Sequence, residues 1–457
     1  MVELKFKKTY NSITAHQFII IKYGIAFTLG LAMGFRLIPS SVVAFFYMGG
    51  IFLCGWYGIQ KKMMQFFTYL PFVCYTEPYV RGFIKAVPYL SIEYMYIFVF
   101  LVLIFRDLKK NKPHSYAFVF MILFGLVEFL NGLFPDDPHL LRPILINSIS
   151  LIVVIVWSCL NRLSPILIHH LLTYIKIATV YLAGIVLVAH IVGGISYNSA
   201  SNFGSSNGLA PVQLSGYLGF GSILFLFSFM NPEESKYRII NIVLFIICAT
   251  VMILTFSRGG LYFIAIIMLI YFYFHRASFK SYFKFIFFIP IGWVIYDYVV
   301  QETGGAIVKR YKKTDTSNRD VLIIAGFKLF LDEPILGVGT SNYPTQVVKR
   351  GYFFQISTAH NEFVRALAEH GIIGFFTYWM FFLLMFKTIW GRHGPNKEFS
   401  VYFLVLFCLI IVHNGLKISI QHVLMMIAIA NPNVIVVKRK IKNVFKSSVI
   451  QQQPQTS

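Results

Sequence analysis

Residues 358–386 read TAHNEFVRALAEHGIIGFFTYWMFFLLMF, and this stretch determines how the whole chain is interpreted. From Gly371 onward it is an apolar run without a charged side chain. The part before that run carries the polar and titratable side chains His360, Asn361, Glu362, Arg365 and Glu369. Such groups at the mouth of a membrane helix are hard to explain by solubility or packing. The stretch therefore indicates a membrane protein with polar chemistry at the bilayer surface.

The composition extends this interpretation to the rest of the chain. Of the 457 residues, 57% are hydrophobic and only 13% are charged, whereas soluble domains carry about 25% charged residues. Many runs approach or exceed the roughly 20 apolar residues that cross a bilayer as a helix. These runs are continuous rather than alternating, which argues against a β-barrel. We therefore predict an all-α, polytopic membrane helix bundle, because lipid requires backbone amides to be satisfied internally.

The apolar runs predict about fourteen membrane spans, and the weakness of the third run and the shortness of the last pair could reduce this number to twelve. We place them at about 18–35, 39–59, 63–80, 88–105, 116–134, 143–160, 174–193, 213–230, 239–256, 259–275, 282–299, 371–389, 399–414 and 418–436. These spans divide the chain into four regions. They are an N-terminal membrane bundle at 1–299, an extracytoplasmic catalytic loop at 300–370, C-terminal membrane helices at 371–436 and a cytoplasmic basic tail at 437–457.

The distribution of positive charge predicts the orientation. The formal net charge of +22 would suit nucleic acid, but most Lys and Arg lie in short loops between apolar runs, where topology selects for them. Placing both termini in the cytoplasm puts most of them inside, and the tail VKRKIKNVFK then lies beside anionic lipid. We expect no nucleic-acid partner. The five cysteines are scattered without a Cys/His cluster, so the sequence predicts no metal site.

The segment 300–370 is too long for an ordinary connection and is expected to be functional or to contain its own helices. Within it, one short helix is predicted to start after Ser317 or Asn318 as N-cap and to stop before Pro334. Arg319 lies in its first turn, where the helix dipole disfavours a cation. Three explanations for a cation at this position remain open: Arg319 binds an anionic ligand, it pairs with Asp320, or it is simply a solvated charge. The neighbouring KRYKK cluster is interpreted as a solvated face, with attraction of an anionic donor as the alternative.

His360 is the candidate proton acceptor, since histidine titrates closest to physiological pH. A helix is predicted to begin near Thr358, immediately before it. A lone histidine is usually structural, and we assign that role to three others near apolar ends: His190, His413 and His422. Arg365 and Glu369 are four residues apart on one helical face and are expected to pair as scaffold.

Arg258 lies in the sequence TFSRGGL between two apolar runs with almost no loop. A planar guanidinium suits bidentate recognition of phosphate, and an arginine near hydrocarbon is a functional hypothesis by default. Gly259 and Gly260 allow close approach of a ligand or another backbone. The alternative is an arginine that only extends from a helix end to the bilayer surface.

Taken in order, these residues resemble the O-antigen ligase and O-antigen polymerase superfamily of bacterial membrane glycosyltransferases. The resemblance rests on SRGG at the end of a span, on Arg319 followed by PILGVG, and on the pattern HNE-x-x-x-x-x-x-E-x-G-x-x-G from His360 to Gly374. It covers about residues 250–390 in detail. Elsewhere the agreement is limited to the pattern of spans and the uncharged loop 194–212.

The resemblance implies a metal-independent, inverting transferase without a cofactor, acting at the outer face of the bacterial inner membrane. The donor would be a glycan on undecaprenyl diphosphate, held in membrane lipid. Arg258 and Arg319 would bind its diphosphate, His360 would activate the acceptor hydroxyl, and Asn361 and Glu362 would contact substrate. A flippase and a chain-length regulator are the protein partners that such a pathway implies.

Several functions remain open at this level. A polymerase transfers the growing chain to the next lipid-linked repeat unit of an O-antigen, capsule or exopolysaccharide, and we favour it. A ligase transfers the finished chain to lipid A-core of lipopolysaccharide, and an oligosaccharyltransferase transfers it to protein. A polysaccharide transporter would place ionisable groups near the bilayer midplane, and Glu128 is the main candidate for such a group.

Overall fold

The computed structural model describes residues 2–88, 90–193, 195–198, 200–276, 286, 288–312, 318–415 and 418–430. Within these ranges the regular secondary structure is helical throughout, with seventeen α-helices and two short 3-10 helices. The all-α prediction is therefore confirmed. Residues 277–285 and 437–457 lie outside the described residues. The structure therefore does not describe the basic tail or the first part of the span predicted at 282–299.

The first ten helices follow one another through short connections. They are α1 Val2–Gly34, α2 Ser40–Ile59, α3 Met63–Phe83, α4 Ser91–Asp107, α5 Ala117–Asn131, α6 Pro138–Leu160, α7 Pro165–Val192, α8 Pro211–Met230, α9 Arg238–Leu254 and α10 Gly259–Phe274. The remaining helices are α11 Phe288–Glu302, α12 Ala306–Lys312, α13 Arg319–Asp332, α14 Tyr343–Lys349, α15 Glu362–Trp390, α16 Pro395–Asn414 and α17 Ile420–Ala430. The 3-10 helices are Gly204–Ser206 and Pro232–Tyr237.

Seven of the described helices have the length and hydropathy needed to cross a membrane. The qualifying segments are Gln17–Gly34, Ser40–Ile59, Pro138–Leu160, Pro165–Val192, Pro211–Met230, Glu362–Trp390 and Pro395–His413. Four more helices are apolar but shorter: Ala117–Asn131, Arg238–Leu254, Gly259–Phe274 and Ile420–Ala430. The chain is a multi-pass membrane protein, and the count of twelve to fourteen spans stays a prediction.

Each of the fourteen predicted spans overlaps a helix, namely one of α1–α11 or α15–α17. The agreement follows from the apolar runs, which mark where a helix can cross the bilayer. Glycines bring α1 and α7 together: a Cβ added at Gly30 would lie 2.1 Å from the carbonyl oxygen of Tyr181, and one at Gly184 would lie 2.7 Å from that of Phe27. Small residues let helix backbones approach in this way within lipid, where no hydrophobic force drives association.

The long segment after α11 contains its own helices, as predicted, in α12, α13 and α14. It packs on the first two turns of α15, which form a separate arm. Gly371 breaks α15 with φ 58° and ψ −156°, so the arm from Glu362 meets the apolar part of the helix at a kink. The predicted start of the span at 371 therefore coincides with this kink.

The predicted start of α13 after Asn318 is confirmed in position, whereas the predicted start of the arm near Thr358 is wrong. Asn318 precedes α13 in the left-handed region, with φ 61°, and makes no side-chain cap hydrogen bond. Ser317, the other predicted cap, lies outside the described residues. The arm of α15 begins at Glu362 rather than near Thr358, because the side chain of Asn361 accepts hydrogen bonds from the amides of Phe363 and Val364 at 3.0 and 3.3 Å. An N-cap of this kind fixes where a helix starts.

Candidate active site

Four helix ends meet on one side of the bundle, and the predicted site residues lie at these ends. Arg258 immediately precedes α10, Arg319 opens α13, and His360 lies two residues before α15. The fourth end is the last turn of α16, which carries His413. Residues separated by up to 155 positions in the sequence are thereby assembled into one cluster, which we call the arginine–histidine site.

The SRGG turn is shaped by its two glycines. A Cβ at Gly259 would lie 2.5 Å from the ring of His413, and a Cβ at Gly260 would lie 2.5 Å from the carbonyl oxygen of Ser215 in α8. The amide of Gly260 donates to the hydroxyl of Ser215 at 2.9 Å. The glycines therefore hold the turn against α8 on one side and admit the imidazole of α16 on the other. Both contacts explain why side chains are excluded at these two positions.

The guanidinium of Arg258 is directed by the polypeptide across from it. Its Nη2 donates to the carbonyl oxygen of Arg310 at 2.6 Å, and the guanidinium carbon lies 5.9 Å from the centre of the Tyr311 ring. Arg258 is half-buried rather than extended into solvent. The alternative of an arginine that only extends to the bilayer surface does not account for these contacts with α12.

Arg319 contacts His413 directly. Its Nη1 donates to Nδ1 of His413 at 2.6 Å. Since a guanidinium has no acceptor, Nδ1 is the accepting nitrogen and the ring proton of neutral His413 resides on Nε2. Burial, together with the positive charge of Arg310, lowers the pKa of Arg319. An anion placed at this guanidinium would relieve that unfavourable electrostatic environment.

His360 lies on the loop that approaches the same cluster. It is half-buried and adopts φ 53°, a left-handed conformation that a residue with a side chain seldom takes. It is near enough to His413 for the two rings to interact electrostatically. Strained backbone of this kind concentrates at functional sites, where the surroundings hold it in place. His360, Arg319 and the SRGG turn are thus joined through His413.

The two residues that follow His360 serve the arm of α15. The side-chain oxygen of Asn361 caps the helix, as described above. The carboxylate of Glu362 bonds to Nε of Arg365 at 2.6 Å, and a Cβ at Gly415 after α16 would lie 2.9 Å from one of its oxygens. These contacts give Asn361 and Glu362 structural roles. Their predicted contact with substrate stays a prediction.

A buried ionic cluster around Arg365 stabilises the arm of α15. Arg365 contacts the carboxylates of Glu362, Glu369 and Glu128, with N–O distances of 2.6, 2.8 and 2.8 Å. The predicted pairing of Arg365 with Glu369 is therefore confirmed, within a larger network. Glu128 comes from α5, so the network fixes the arm to the membrane bundle. Glu128 was the acidic group that favoured a transporter, and its ion pair with Arg365 now gives it a structural role.

The PILGVG segment, residues 334–339, docks against the kink of α15. The amides of Val338 and Gly339 donate to the carbonyl oxygens of Ala368 and Glu369, both at 3.0 Å, and the amide of Ile372 donates to that of Pro334 at 2.9 Å. A Cβ at Gly337 would lie 2.4 Å from the backbone of Glu369. The spacing of proline and glycine in this motif therefore serves backbone contact with the arm.

A further connection holds the loop after α13 to the bundle. Asp136, between α5 and α6, accepts from Lys349 at 2.9 Å, from Thr345 at 2.8 Å and from Gln346 at 2.7 Å. These three donors belong to α14, and their bonds lower the pKa of Asp136. The loop that carries PILGVG is thereby attached at two points, at α5 and at the kink of α15.

The uncharged loop 194–212 reaches the flank of the site. The ring of Tyr197 stacks on Phe256, two residues before Arg258, with centroids 6.0 Å apart. His190 holds this loop by hydrogen bonds to the hydroxyl of Tyr197 at 2.7 Å and to the carbonyl oxygen of Ser205 at 2.9 Å. The structural role predicted for His190 is confirmed by these contacts.

The sequence predicts only a structural role for His413 and does not identify it as part of the site. The contact with Arg319 places it within the site, so that assignment is corrected. The signal was present, because His413 ends a predicted span on the same face as Arg258 and His360. His422, by contrast, is buried between Ser150, which it contacts at 2.8 Å, and the ring of Tyr96, so its structural role is confirmed.

The arrangement suits an anion with more than one charge. Two guanidiniums are presented at the starts of α10 and α13, and helix N-termini add partial positive charge and unsatisfied amides. A neutral imidazole can accept a proton beside them. Among the described residues, no group of three or more His, Cys, Asp or Glu side chains is placed to hold a metal ion.

Comparison with known proteins finds a similarity for one segment of the chain. No curated protein matches the chain. Residues 243–379, however, match a family model described as O-Antigen ligase. The matched segment runs from α9 into α15 and contains Arg258, Arg319 and His360, whereas His413 lies beyond it. Over this segment the match agrees with the predicted resemblance to the O-antigen ligase and O-antigen polymerase superfamily.

Proposed function

We propose that the protein is a glycosyltransferase that polymerises lipid-linked oligosaccharide repeat units at the outer face of the bacterial inner membrane. The donor is a glycan on undecaprenyl diphosphate, and the product serves an O-antigen, capsule or exopolysaccharide. The observation that carries the proposal is the convergence of Arg258, Arg319 and His360 through His413 at one side of a membrane bundle.

The lipid carrier sets the geometry of the reaction. Its polyprenyl chain lies in the bilayer and its diphosphate lies at headgroup depth, where the four helix ends meet. Arg258 and Arg319 bind the diphosphate and neutralise the charge that grows on it as the glycosidic bond to phosphate breaks. Interactions that strengthen in this way favour the transition state over the bound substrate.

The acceptor hydroxyl supplies the new bond. Its oxygen attacks the anomeric carbon from the face opposite the diphosphate, so the configuration inverts. The electron pair of the broken bond leaves with the diphosphate, and His360 takes the proton from the attacking hydroxyl. A positioned base of this kind contributes roughly a hundred- to ten-thousand-fold to the rate. The step needs no metal ion and no nucleotide.

The Arg319–His413 contact defines how the leaving group is recognised. With Nδ1 of His413 accepting one guanidinium proton, the remaining N–H groups of Arg319 have a fixed direction. A fixed planar guanidinium can bind two phosphate oxygens at once. His413 is therefore a positioning residue in this proposal, since it acts through Arg319.

The orientation follows from the charge pattern. With both termini in the cytoplasm, Arg258, the segment 300–370 and His413 all lie on the outer side, as a donor delivered by a flippase requires. The inner loops carry the greater share of Lys and Arg. A chain-length regulator is the further partner expected for a polymerase.

The second candidate is an O-antigen ligase, which transfers the finished lipid-linked glycan to lipid A-core. The description of the matched family model favours it. Both enzymes use the same donor and the same site, and they differ in the acceptor. Loss of the gene separates them: single-repeat glycans indicate a polymerase, whereas full-length chains retained on the carrier lipid indicate a ligase.

The direct test uses purified protein in neutral detergent with a defined undecaprenyl-diphosphate-linked repeat unit and no ion gradient. We expect longer lipid-linked glycans together with released undecaprenyl diphosphate. Transfer only after lipid A-core is added would identify the ligase, and transfer to an added protein acceptor would identify an oligosaccharyltransferase. Absence of a new glycosidic bond in detergent, together with movement of the substrate across the bilayer after reconstitution into vesicles, would identify a transporter.

A further inference from the structure

A cavity of about 500 Å³ lies at the other end of α5 and α15 from the arginine–histidine site. It is lined by the start of α5, by the end of α15 and by the connections before α7 and α16. From Gly371 to Lys387 the helix rises about 24 Å at 1.5 Å per residue, which is most of the hydrocarbon thickness. The cavity therefore opens at the opposite membrane surface.

Its lining is strongly positive. Arg162, Lys387 and Arg392 carry permanent charge, and His114 and His393 are also present, whereas no carboxylate is found among the lining residues of the described chain. Burial, followed by the charges of Arg392 and Arg162, lowers the pKa of His114 to about 4. His114 is therefore neutral at pH 7, and Arg162, Lys387 and Arg392 supply the positive charge of the cavity.

The three permanent cations are held in different ways. Arg392 is held in place by α17, because it donates to the carbonyl oxygens of Ala428 at 2.7 Å and Ile429 at 2.5 Å. Arg162 and Lys387 are exposed and make no hydrogen bond or ion pair with another side chain of the described residues. One cavity is therefore lined by a fixed cation, Arg392, and by two exposed cations, Arg162 and Lys387.

The rim of the cavity faces lipid. Tyr116 is 68% exposed beside it, and tyrosine rings are enriched where hydrocarbon meets headgroups. Leu384 and Ala117 add apolar side chains to the wall. Basic pockets between membrane helices at the cytoplasmic surface are a recurring way to bind phosphate headgroups.

We propose that this cavity is a second anion site, distinct from the arginine–histidine site, which binds a phosphate-bearing ligand at the cytoplasmic membrane surface. Its charge and its lipid-facing rim match a headgroup that presents phosphate oxygens to Arg162, Lys387 and Arg392. The proposal does not depend on the glycosyltransferase function, since it rests on residues at the opposite end of the bundle.

The test measures lipid binding to purified full-length protein in neutral detergent by native mass spectrometry. Titration with cardiolipin, phosphatidylglycerol and phosphatidylcholine is compared for the parent and for the Arg162→Gln/Lys387→Gln double variant. Because each charge-assisted hydrogen bond contributes substantially to affinity, we expect at least about tenfold weaker binding of the anionic lipids by the variant. Phosphatidylcholine binding should not change.

The matched control is the Lys109→Gln/Lys110→Gln double variant, which removes two exposed cations from the same surface outside the cavity. Its affinity should stay within about threefold of the parent. Equal losses in the two double variants, or no loss in the cavity variant, would overturn the proposal. Thermal unfolding of each variant shows that the comparison is made on folded protein.

Competition with inorganic pyrophosphate distinguishes the sources of phosphate. Displacement of bound cardiolipin by pyrophosphate supports a headgroup bound through its phosphates. Saturable pyrophosphate binding that the cavity variant loses, with no anionic lipid bound, assigns the site to a soluble phosphate compound. Binding of neither ligand by the parent protein would contradict the proposal.

Discussion

The guanidinium of Arg319 and the imidazole of His413 meet at 2.6 Å between Nη1 and Nδ1, and this contact joins the outer loop to the end of α16. His413 in turn packs on Gly259, next to Arg258. The two arginines proposed to hold a diphosphate are thus related through one histidine. The predictions that follow concern this connection, the arginines themselves and the scaffold that holds them.

His413 should act through Arg319 rather than on the substrate. In His413→Asn the side-chain oxygen can replace Nδ1 as acceptor, whereas His413→Leu removes the acceptor. Because a hydrogen bond to a charged group is worth about 1.5–3 kcal/mol, we expect His413→Leu to lower kcat/KM roughly ten- to hundredfold. Steady-state kinetics should show His413→Asn recovering most of this loss. Equal activity of the two variants would assign His413 a packing role only.

Arg258 and Arg319 should be required for the donor. Replacement of either by lysine keeps the charge but removes the planar pair of donors, so we expect about ten- to hundredfold lower kcat/KM, with a larger loss for alanine. Donor binding by isothermal titration calorimetry should weaken in parallel. Arg142→Ala is the control, since that arginine is exposed and bonded to Tyr94. Parental kinetics in Arg258→Ala or Arg319→Ala would reduce that residue to a topology anchor.

Gly371 should be required for the shape of α15. Its φ of 58° disfavours a side chain, and a Cβ there would lie 2.4 Å from the carbonyl group of Ile335. Gly371→Ala is expected to destabilise the protein by about 2–5 kcal/mol, from backbone strain and overlap together. Thermal unfolding in detergent measures this, with Gly49→Ala as control because nothing lies within 4 Å of an added Cβ at Gly49. An unchanged midpoint in Gly371→Ala would show that the kink is not needed.

Arg365 should be the least replaceable member of the buried ionic cluster. Arg365→Met leaves three carboxylates facing one another without their shared cation, so we expect a loss of about 3–5 kcal/mol or failure to fold. Glu128→Gln removes one of the three and should cost less. The free energy of chemical unfolding, or the shift of the thermal unfolding midpoint, ranks the two variants, with Arg142→Met as control. The reverse order would mean that Arg365 is not the centre of the cluster.

The sequence allowed the membrane helices and the main site residues to be predicted, because both depend on local patterns. Apolar runs located the helices; Arg258 lies between two such runs, and Arg319 and His360 lie in the long segment 300–370 that separates two others. Local patterns did not locate the start of the arm, since capping by Asn361 rather than apolar periodicity determines it. They also did not identify His413, because its role arises from a contact with Arg319, 94 positions away in the chain.

Two motifs gained a physical explanation only from the fold. Gly337 of PILGVG and Gly371 are needed because the backbones of the outer loop and the arm of α15 touch. The second glycine of SRGG is needed because α10 starts against Ser215. Neither partner backbone can be identified from the motif itself, since each is distant in the sequence.

The central claim, that His360 takes the proton of the acceptor, is tested by His360→Ala in a single-turnover assay. Purified protein is saturated with a defined undecaprenyl-diphosphate-linked repeat unit, and glycosidic bond formation is followed together with donor binding. His139→Ala, which removes an exposed histidine, is the control. The account predicts a rate about a hundred- to ten-thousand-fold lower for His360→Ala, with donor binding retained. Transfer by His360→Ala at the parental rate would contradict it.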